Sequence, residues 1–418
     1  MTEFWHPFAD MHAVEANGAT SLVRGEGAYV FDDTGRRYLD ATASLWYCNV
    51  GWGRNEIADA AAMQLRTLPT YSTFGDLTNG PSEALAERVA SLAPVRGSKV
   101  FLTSGGSDSI DTATKMARRY WQLRGEPRRT VLIRREKAYH GMHTAGTSLA
   151  GIPANATGHG ELIEDIAEVP WDDAGALRAA IETEGPERVA AFFCEPVIGA
   201  GGVFPPPPGY LEAARNVCRE TGVLFVADEV ITGFGRTGDW FASSRFGLDP
   251  DIITCAKGIT SGYLPMGGVI AAPWVAEPFW EPGAGPWRHG YTYSGHATVA
   301  AAALANLDIM EREALCERAL KLETSLVEAL RPLADHELVE EVRGGVGLLA
   351  AVNLRQDLVA DDPSLPARVG SACREAGLLI RPLVAGALAV SPPLVIGEEH
   401  IAEIADGFRA GLDAVAAN

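Results

Sequence analysis

Two short apolar runs in the middle of the chain each stop at a charged residue. Val223 to Ala227 ends at Asp228-Glu229, and Ile252 to Ala256 ends at Lys257-Gly258. Uninterrupted apolar runs of this length, rich in β-branched side chains, predict strands buried on both faces, as in a parallel sheet. The same pattern predicts strands at Val100 to Thr103, Thr130 to Arg134, Val189 to Cys194 and Gly267 to Ala272. Between them, helical spacing predicts helices at Asn55 to Leu68, Glu83 to Leu92 with Ser82 as N-cap, Asp108 to Leu123, Asp173 to Glu182 and Tyr210 to Thr221. Residues 142 to 164 read as a long surface connection and Val275 to Trp287 as a loop. Strand and helix in alternation imply right-handed crossovers and a mostly parallel α/β sheet flanked by helices.

The flanks follow a different pattern. The first sixty residues are aromatic-rich, with short alternating runs broken by turns at Asp33-Thr34-Gly35 and Gly51-Trp52-Gly53. Beyond helices at Thr298 to Glu311 and Ala314 to Leu333 come strands near Leu338 to Val342, Gly347 to Asn353, Leu378 to Arg381 and Leu388 to Val390, and helices at Leu365 to Ala376 and Glu398 to Val415. These short elements predict a smaller α+β domain built from residues 1–60 and 311–418, beside a large domain at 61–310.

At 418 residues the chain suits two or three domains, and its 47% hydrophobic and 21% charged residues are those of a globular protein. A net charge of −19 weighs against a nucleic-acid or anionic-membrane surface. No run of 18 apolar residues and no basic, apolar leader is present, so no membrane span and a cytoplasmic location are expected. Six cysteines without CxxC or other metal spacing read as reduced thiols, with no metal site.

The two strand tips carry the chemistry. In a parallel sheet Asp228 and Lys257 emerge at one carboxyl edge, where open α/β sheets hold their ligands. A lysine can form a Schiff base with an aldehyde, and a carboxylate can keep a pyridine nitrogen protonated, so the pair suits pyridoxal phosphate (PLP). Taken singly, either residue reads as a solvated ion pair. In TSGGSDSIDT a glycine turn opens a helix, which favours an anion at Gly106 and Ser107. Tyr139 in AYHG is placed to stack on a planar ring, whereas His140 reads equally well as a structural histidine. The absence of GxGxxG and of a P-loop weighs against dinucleotide and NTP binding. A non-catalytic nucleotide-binding domain is the reading from another class.

Eight segments occurring in order, LWYCNVGWG, TSGGSDSIDT, AYHG, FFCEPVIGAGGV, VADEVITGFGRTG, CAKGITSGYLPMGG, HGYTYSGH and SPPLVI, resemble the class III aminotransferases of PLP fold type I along nearly the whole chain. The resemblance implies Lys257 as the Schiff-base lysine and Asp228 as partner of the ring nitrogen. It also implies Val230 below the ring, Tyr139 above it, Gly106 and Ser107 on the phosphate, and Glu195 near the cofactor. Tyr291 and Thr292 would reach the phosphate of a neighbouring subunit, which implies a homodimer with shared active sites. The branch that uses 2-oxoglutarate carries an arginine and a masking glutamate where this chain has Ala389 and Ala200, and a glutamine where it has Ile231. Arg381 matches instead the carboxylate-binding arginine of the amine:pyruvate and β-alanine:pyruvate branch, in a pocket with Trp46 and Tyr139. The segment 384–387 is about one residue longer than the family pattern.

The implied reaction is ping-pong transfer of an amino group from an amine or ω-amino acid to a keto acid, pyruvate in particular, with pyridoxamine phosphate as the alternate cofactor form. A diaminopelargonate-type aminotransferase, suggested by FWHPF at the start, and a PLP decarboxylase or aminomutase are the neighbouring alternatives.

Overall fold

A computed structural model describes residues 2–417, so Met1 and Asn418, the outer ends of the expected small domain, lie outside the described residues. Three strands open the chain, β1 (Leu22–Glu26), β2 (Tyr29–Asp32) and β3 (Arg37–Asp40). Seven follow in the middle: β4 (Lys99–Thr103), β5 (Val131–Arg135), β6 (Ile166–Val169), β7 (Val189–Cys194), β8 (Leu224–Asp228), β9 (Ile252–Cys255) and β10 (Gly267–Ala271). Five close it: β11 (Val339–Arg343), β12 (Ala350–Leu354), β13 (Leu378–Leu379), β14 (Arg381–Pro382) and β15 (Ala387–Val390).

The middle strands form one sheet in the order β4-β10-β9-β8-β7-β5-β6, parallel throughout except for β10, which runs against both its neighbours. Every residue of β7, β8 and β9 is buried, because helices cover both faces of the sheet. With β8 and β9 parallel and adjacent, Asp228 lies beside Thr254, and Lys257 follows the end of β9. Two four-stranded sheets flank this core, in the orders β1-β2-β3-β13 and β11-β12-β15-β14. The first joins the two ends of the chain, since β13 pairs with β3.

Several local expectations are corrected. Ser82 is not an N-cap: the helix runs Gly80–Leu92 and Asn79 caps it, accepting from the Ser82 N–H (3.0 Å), while Ser82 Oγ donates to the Gly295 carbonyl (2.7 Å). Residues 142–164 are not all surface. They contain helices Thr144–Ser148 and Pro153–Ala156, and Ala145 to Ala150 are buried, with a Cβ on Gly146 falling 2.2 Å from the carbonyl oxygen of His140, in the turn after β5. The expected loop at 275–287 begins instead as a helix, Pro273–Trp280, with Pro273 at its first turn, where proline's fixed φ and missing N–H cost nothing. The single strand expected at Leu378 to Arg381 is split at Ile380, with β13 in one sheet and β14 in the other.

Among the described residues no helix is long and apolar enough to cross a membrane, and no cluster of His, Cys, Asp and Glu could hold a metal ion.

Candidate active site

The carboxyl edge of the central sheet opens into a cavity of about 140 Å³. Asp228, buried at the tip of β8, is held by three donors: His140 Nδ1 on Oδ2 (2.7 Å), and Thr254 Oγ1 (3.0 Å) and the Val230 N–H (3.1 Å) on Oδ1. Such a carboxylate is fixed in place before any ligand arrives. Lys257 begins a short 3₁₀ turn with φ 51°, a left-handed conformation that aims the chain sharply out of the sheet. The turn is pinned from behind, since Asn306 Nδ2 donates to the carbonyls of Gly258 (2.9 Å) and Ile259 (3.1 Å). Burial pushes the Lys257 amine down to about 8, helped by Arg381 and opposed by Asp228 and Glu195. A large share of it is therefore a neutral, nucleophilic amine in mildly alkaline solution.

Opposite these two tips, the helix Gly106–Leu123 starts two residues earlier than its pattern suggests, which puts Gly106 and Ser107 in its first turn. Backbone N–H groups there have no intrahelical acceptor and, with the helix dipole, favour an anion. Gly106 must lack a side chain, because a Cβ would sit 2.9 Å from Val230 Cγ1. Ser107 Oγ accepts from the Met142 N–H (3.1 Å). The remaining wall includes Tyr139, His140, Gly141, Glu195 and Ile231. An acid, an amine, a face of anion donors, and aromatic and aliphatic walls in one small cavity form a set that fits PLP.

Glu195 lines the cavity, but both of its carboxylate oxygens are occupied. Oε1 accepts from the Tyr139 N–H and Oε2 from the Gly199 N–H, each at 3.0 Å. Burial raises its pKa, and His140 works against that. It stands on a wall of this cavity, and its carboxylate hydrogen bonds are all to backbone.

The second face of the site comes from the flanking sheets. Trp46 is buried in a backbone that is left-handed at Ala43, Ser44 and Trp46 (φ 44°, 57° and 61°). The Lys257 amine lies 5.6 Å from its ring centre and the Arg381 guanidinium 5.4 Å, so one indole is within reach of both cations. The sheet switch at Ile380 delivers Arg381, and the longer segment after it is taken up by a tight turn at Val384–Gly386, with Ala385 at φ 54°. Among the described residues the Arg381 side chain has no ion-pair or hydrogen-bond partner, and its buried Nε and the Trp46 Nε1 are both unpartnered donors. Burial lowers the pKa of Arg381, against the influence of Tyr139. Burial raises that of Tyr139, against the influence of Arg381. Ala389 is the cross-strand neighbour of Arg381, buried in an apolar cluster with Trp46, Val197 and Ile231.

Tyr291 and Thr292 are not brought into this cavity. Tyr291 Oη instead donates to the Asp108 carbonyl (3.0 Å) and sits 3.3 Å from Thr112 Oγ1, while Thr292 faces outward, exposed. Sequence reasoning missed Thr254, the one polar residue inside the apolar run of β9 and the cross-strand partner of Asp228, and the His140–Asp228 bond, for which nothing local in the sequence is a signal.

A family model described as aminotransferase class-III matches residues 11–412. The putrescine–pyruvate aminotransferase of Pseudomonas aeruginosa is 40% identical over 434 aligned residues, covering 98% of this chain and 94% of that protein. The diaminobutyrate–2-oxoglutarate transaminase of Halomonas elongata is 39% identical over 413, covering 92% and 88%. A solved transaminase structure from the marine bacterium Virgibacillus superposes with a TM-score of 0.94 at 38% identity, covering 99% of this chain and 97% of that one. Members of this family depend on PLP for amino-group transfer. Matched along almost its entire length by the family model, and at this identity by its relatives, the chain belongs to the class III aminotransferases.

Proposed function

We propose that this enzyme moves an amino group from an amine or ω-amino acid to pyruvate, with PLP held between Asp228 and Lys257. The observation that carries the acceptor assignment is the Arg381 guanidinium beside Trp46, with its buried Nε unpartnered, next to a position, Ala389, that supplies no second cation. Similarity alone does not decide it, since relatives named for pyruvate and for 2-oxoglutarate match almost equally. A carboxylate entering a desolvated site needs a cation, and one guanidinium suits a monocarboxylate.

When bound, PLP supplies an aldehyde that takes up the amino group and a protonated ring that accepts electrons from the donor's Cα–H bond. Asp228 would pair with the ring nitrogen of the bound cofactor, and its three hydrogen bonds hold it aligned for that. Gly106 and Ser107 would hold the phosphate at the helix start and Val230 and Tyr139 would pack on the ring, with His140 steadying Asp228. Lys257 Nζ takes the proton from the donor's Cα. Arg381 binds the keto acid's carboxylate and withdraws along Trp46 when a donor without a carboxylate enters. Tyr291 and Thr292, directed away from their own cavity, are assigned to the phosphate site of a second copy, in a homodimer with shared active sites. The division at about residues 60 and 310, the pairing of both chain ends through β3 and β13, and a cytoplasmic location suited to six buried free thiols belong to the same reading.

The test is a panel of amines and ω-amino acids assayed in parallel with pyruvate and 2-oxoglutarate. Stoichiometric alanine formation without CO2 release is expected. Turnover with 2-oxoglutarate equal to that with pyruvate would overturn the acceptor assignment.

A further inference from the structure

Arg135 is the last residue of β5 and is buried at 1% exposure. Among the described residues no carboxylate lies within ion-pair distance of it. Its guanidinium donates to backbone carbonyls instead, Nη1 to Trp171 (3.2 Å) and Nη2 to Glu195, with the Tyr210 ring 5.7 Å away. Burying a cation on neutral acceptors is costly, and only the planar fork of arginine spans two carbonyls from one position. A methionine would fill such a space without that cost.

The return contact explains what the charge is for. Glu195 follows the end of β7, and its carboxylate accepts from the Tyr139 N–H (3.0 Å), just beyond the tip of β5. So the side chain at one strand tip grips the backbone of the other, and the other's side chain grips back. The turn between Arg135 and Tyr139 is confined on its remaining sides. Lys137 has φ 64° and donates its N–H to the Gly151 carbonyl (3.0 Å), the Gly151 N–H donates to the Ala138 carbonyl (2.8 Å), and a Cβ on Gly201 would fall 2.0 Å from the Lys137 carbonyl oxygen. With the turn packed from both sides, the height of Tyr139 over the cavity depends on how β5 and β7 are fastened to each other.

We propose that Arg135 is a positioning residue, which with Glu195 forms a reciprocal clasp between β5 and β7 that sets Tyr139 against the cofactor ring. The clasp deepens the proposed function and rests on its placement of Tyr139.

The experiment uses the PLP-loaded enzyme and four forms: wild type, Arg135→Lys, Tyr139→Ala and the double variant. Cofactor release after dilution and the circular dichroism of the bound chromophore are followed, with Tm as the control for general damage. Arg135→Lys keeps the charge and loses the fork. It is expected to speed release by about tenfold, the scale of a sub-ångström misplacement, and to change the dichroism. In the Tyr139→Ala background the same substitution is expected to change neither readout further, because residues acting through one another are not additive. Equal effects of Arg135→Lys in both backgrounds would make Arg135 merely structural and overturn the proposal, as would unchanged release and dichroism where Tyr139 is intact. Arg135→Met, if it folds, is expected to exceed the lysine variant in both readouts; a methionine variant indistinguishable from wild type also overturns it. A wild-type protein with no bound chromophore sinks the proposed function itself, and the clasp with it.

Discussion

The two halves of the site are prepared in opposite ways. On the sheet side, the two carboxylates that face the cavity are already satisfied, since Asp228 has three donors and both oxygens of Glu195 are spent on backbone, although the buried His140 Nε2 has no partner. On the small-sheet side, Trp46 sits in left-handed backbone and two buried donors, its own Nε1 and Arg381 Nε, have no partner. A buried donor left unmade costs about 1–3 kcal/mol. Under the proposed function, the difference separates a half that holds one permanent group from a half that exchanges ligands. Preorganisation serves the cofactor, whereas open donors reserve binding energy for whichever carboxylate arrives.

This contrast can be broken most severely at the fixed half. Lys257→Ala removes both the amine that takes up the cofactor and the base, so turnover should fall by about 10⁴-fold or more, with loss of the visible absorbance of the bound cofactor. Retained transamination in that variant refutes the assignment. Asp228→Asn keeps the shape but removes the charge and one of the two acceptor oxygens. A loss of about 10²–10³ in kcat with cofactor still bound is expected, and near-normal kcat would show that the ring proton does not depend on this carboxylate.

Substitutions in the exchanging half should discriminate among substrates. Arg381→Leu should lower kcat/KM for pyruvate by about 10–100-fold, the range of a charge-assisted hydrogen bond. It should leave an aldehyde acceptor, which has no carboxylate, almost unchanged; equal losses on both acceptors would make Arg381 a packing residue. The smallest effect concerns pH. Because burial holds the Lys257 amine near 8, below its usual 10.5, it loses its proton as pH rises through about 8. The rate at which apoprotein takes up PLP should rise across that range and level off above it. A rate that climbs steadily towards pH 10 would mean that the amine is not depressed.

The same contrast governs what was legible in the sequence. The fixed half is written in continuous apolar runs, so strands ending at Asp228 and near Lys257, and the helix Tyr210–Thr221, lie where the pattern predicts them. Side chains that reach back to distant backbone leave no local trace. The occupation of Glu195 by Tyr139 and Gly199, and the His140–Asp228 bond, required the tips of three strands to be assembled first. Glycine and alanine in residues 142–164 suggested surface, yet there they permit close packing against the end of β5 and the turn after it, as the approaches of a Cβ on Gly151 to the Arg135 carbonyl (2.3 Å) and of one on Gly146 to the His140 carbonyl (2.2 Å) require. Helix Pro273–Trp280 was hidden by its two prolines, one at the first turn and one, Pro278, inside. On the exchanging side, the strand predicted at Leu378 to Arg381 crosses from one sheet to the other, which a periodicity of two cannot reveal.

The most direct test of the central claim uses the scarcity of lysine. The chain has only four others, Lys99, Lys115, Lys137 and Lys321. Borohydride reduction of the PLP-loaded protein, followed by peptide mass spectrometry, should place the phosphopyridoxyl group on Lys257 alone. A label on any of the other four with Lys257 unmodified would contradict the account.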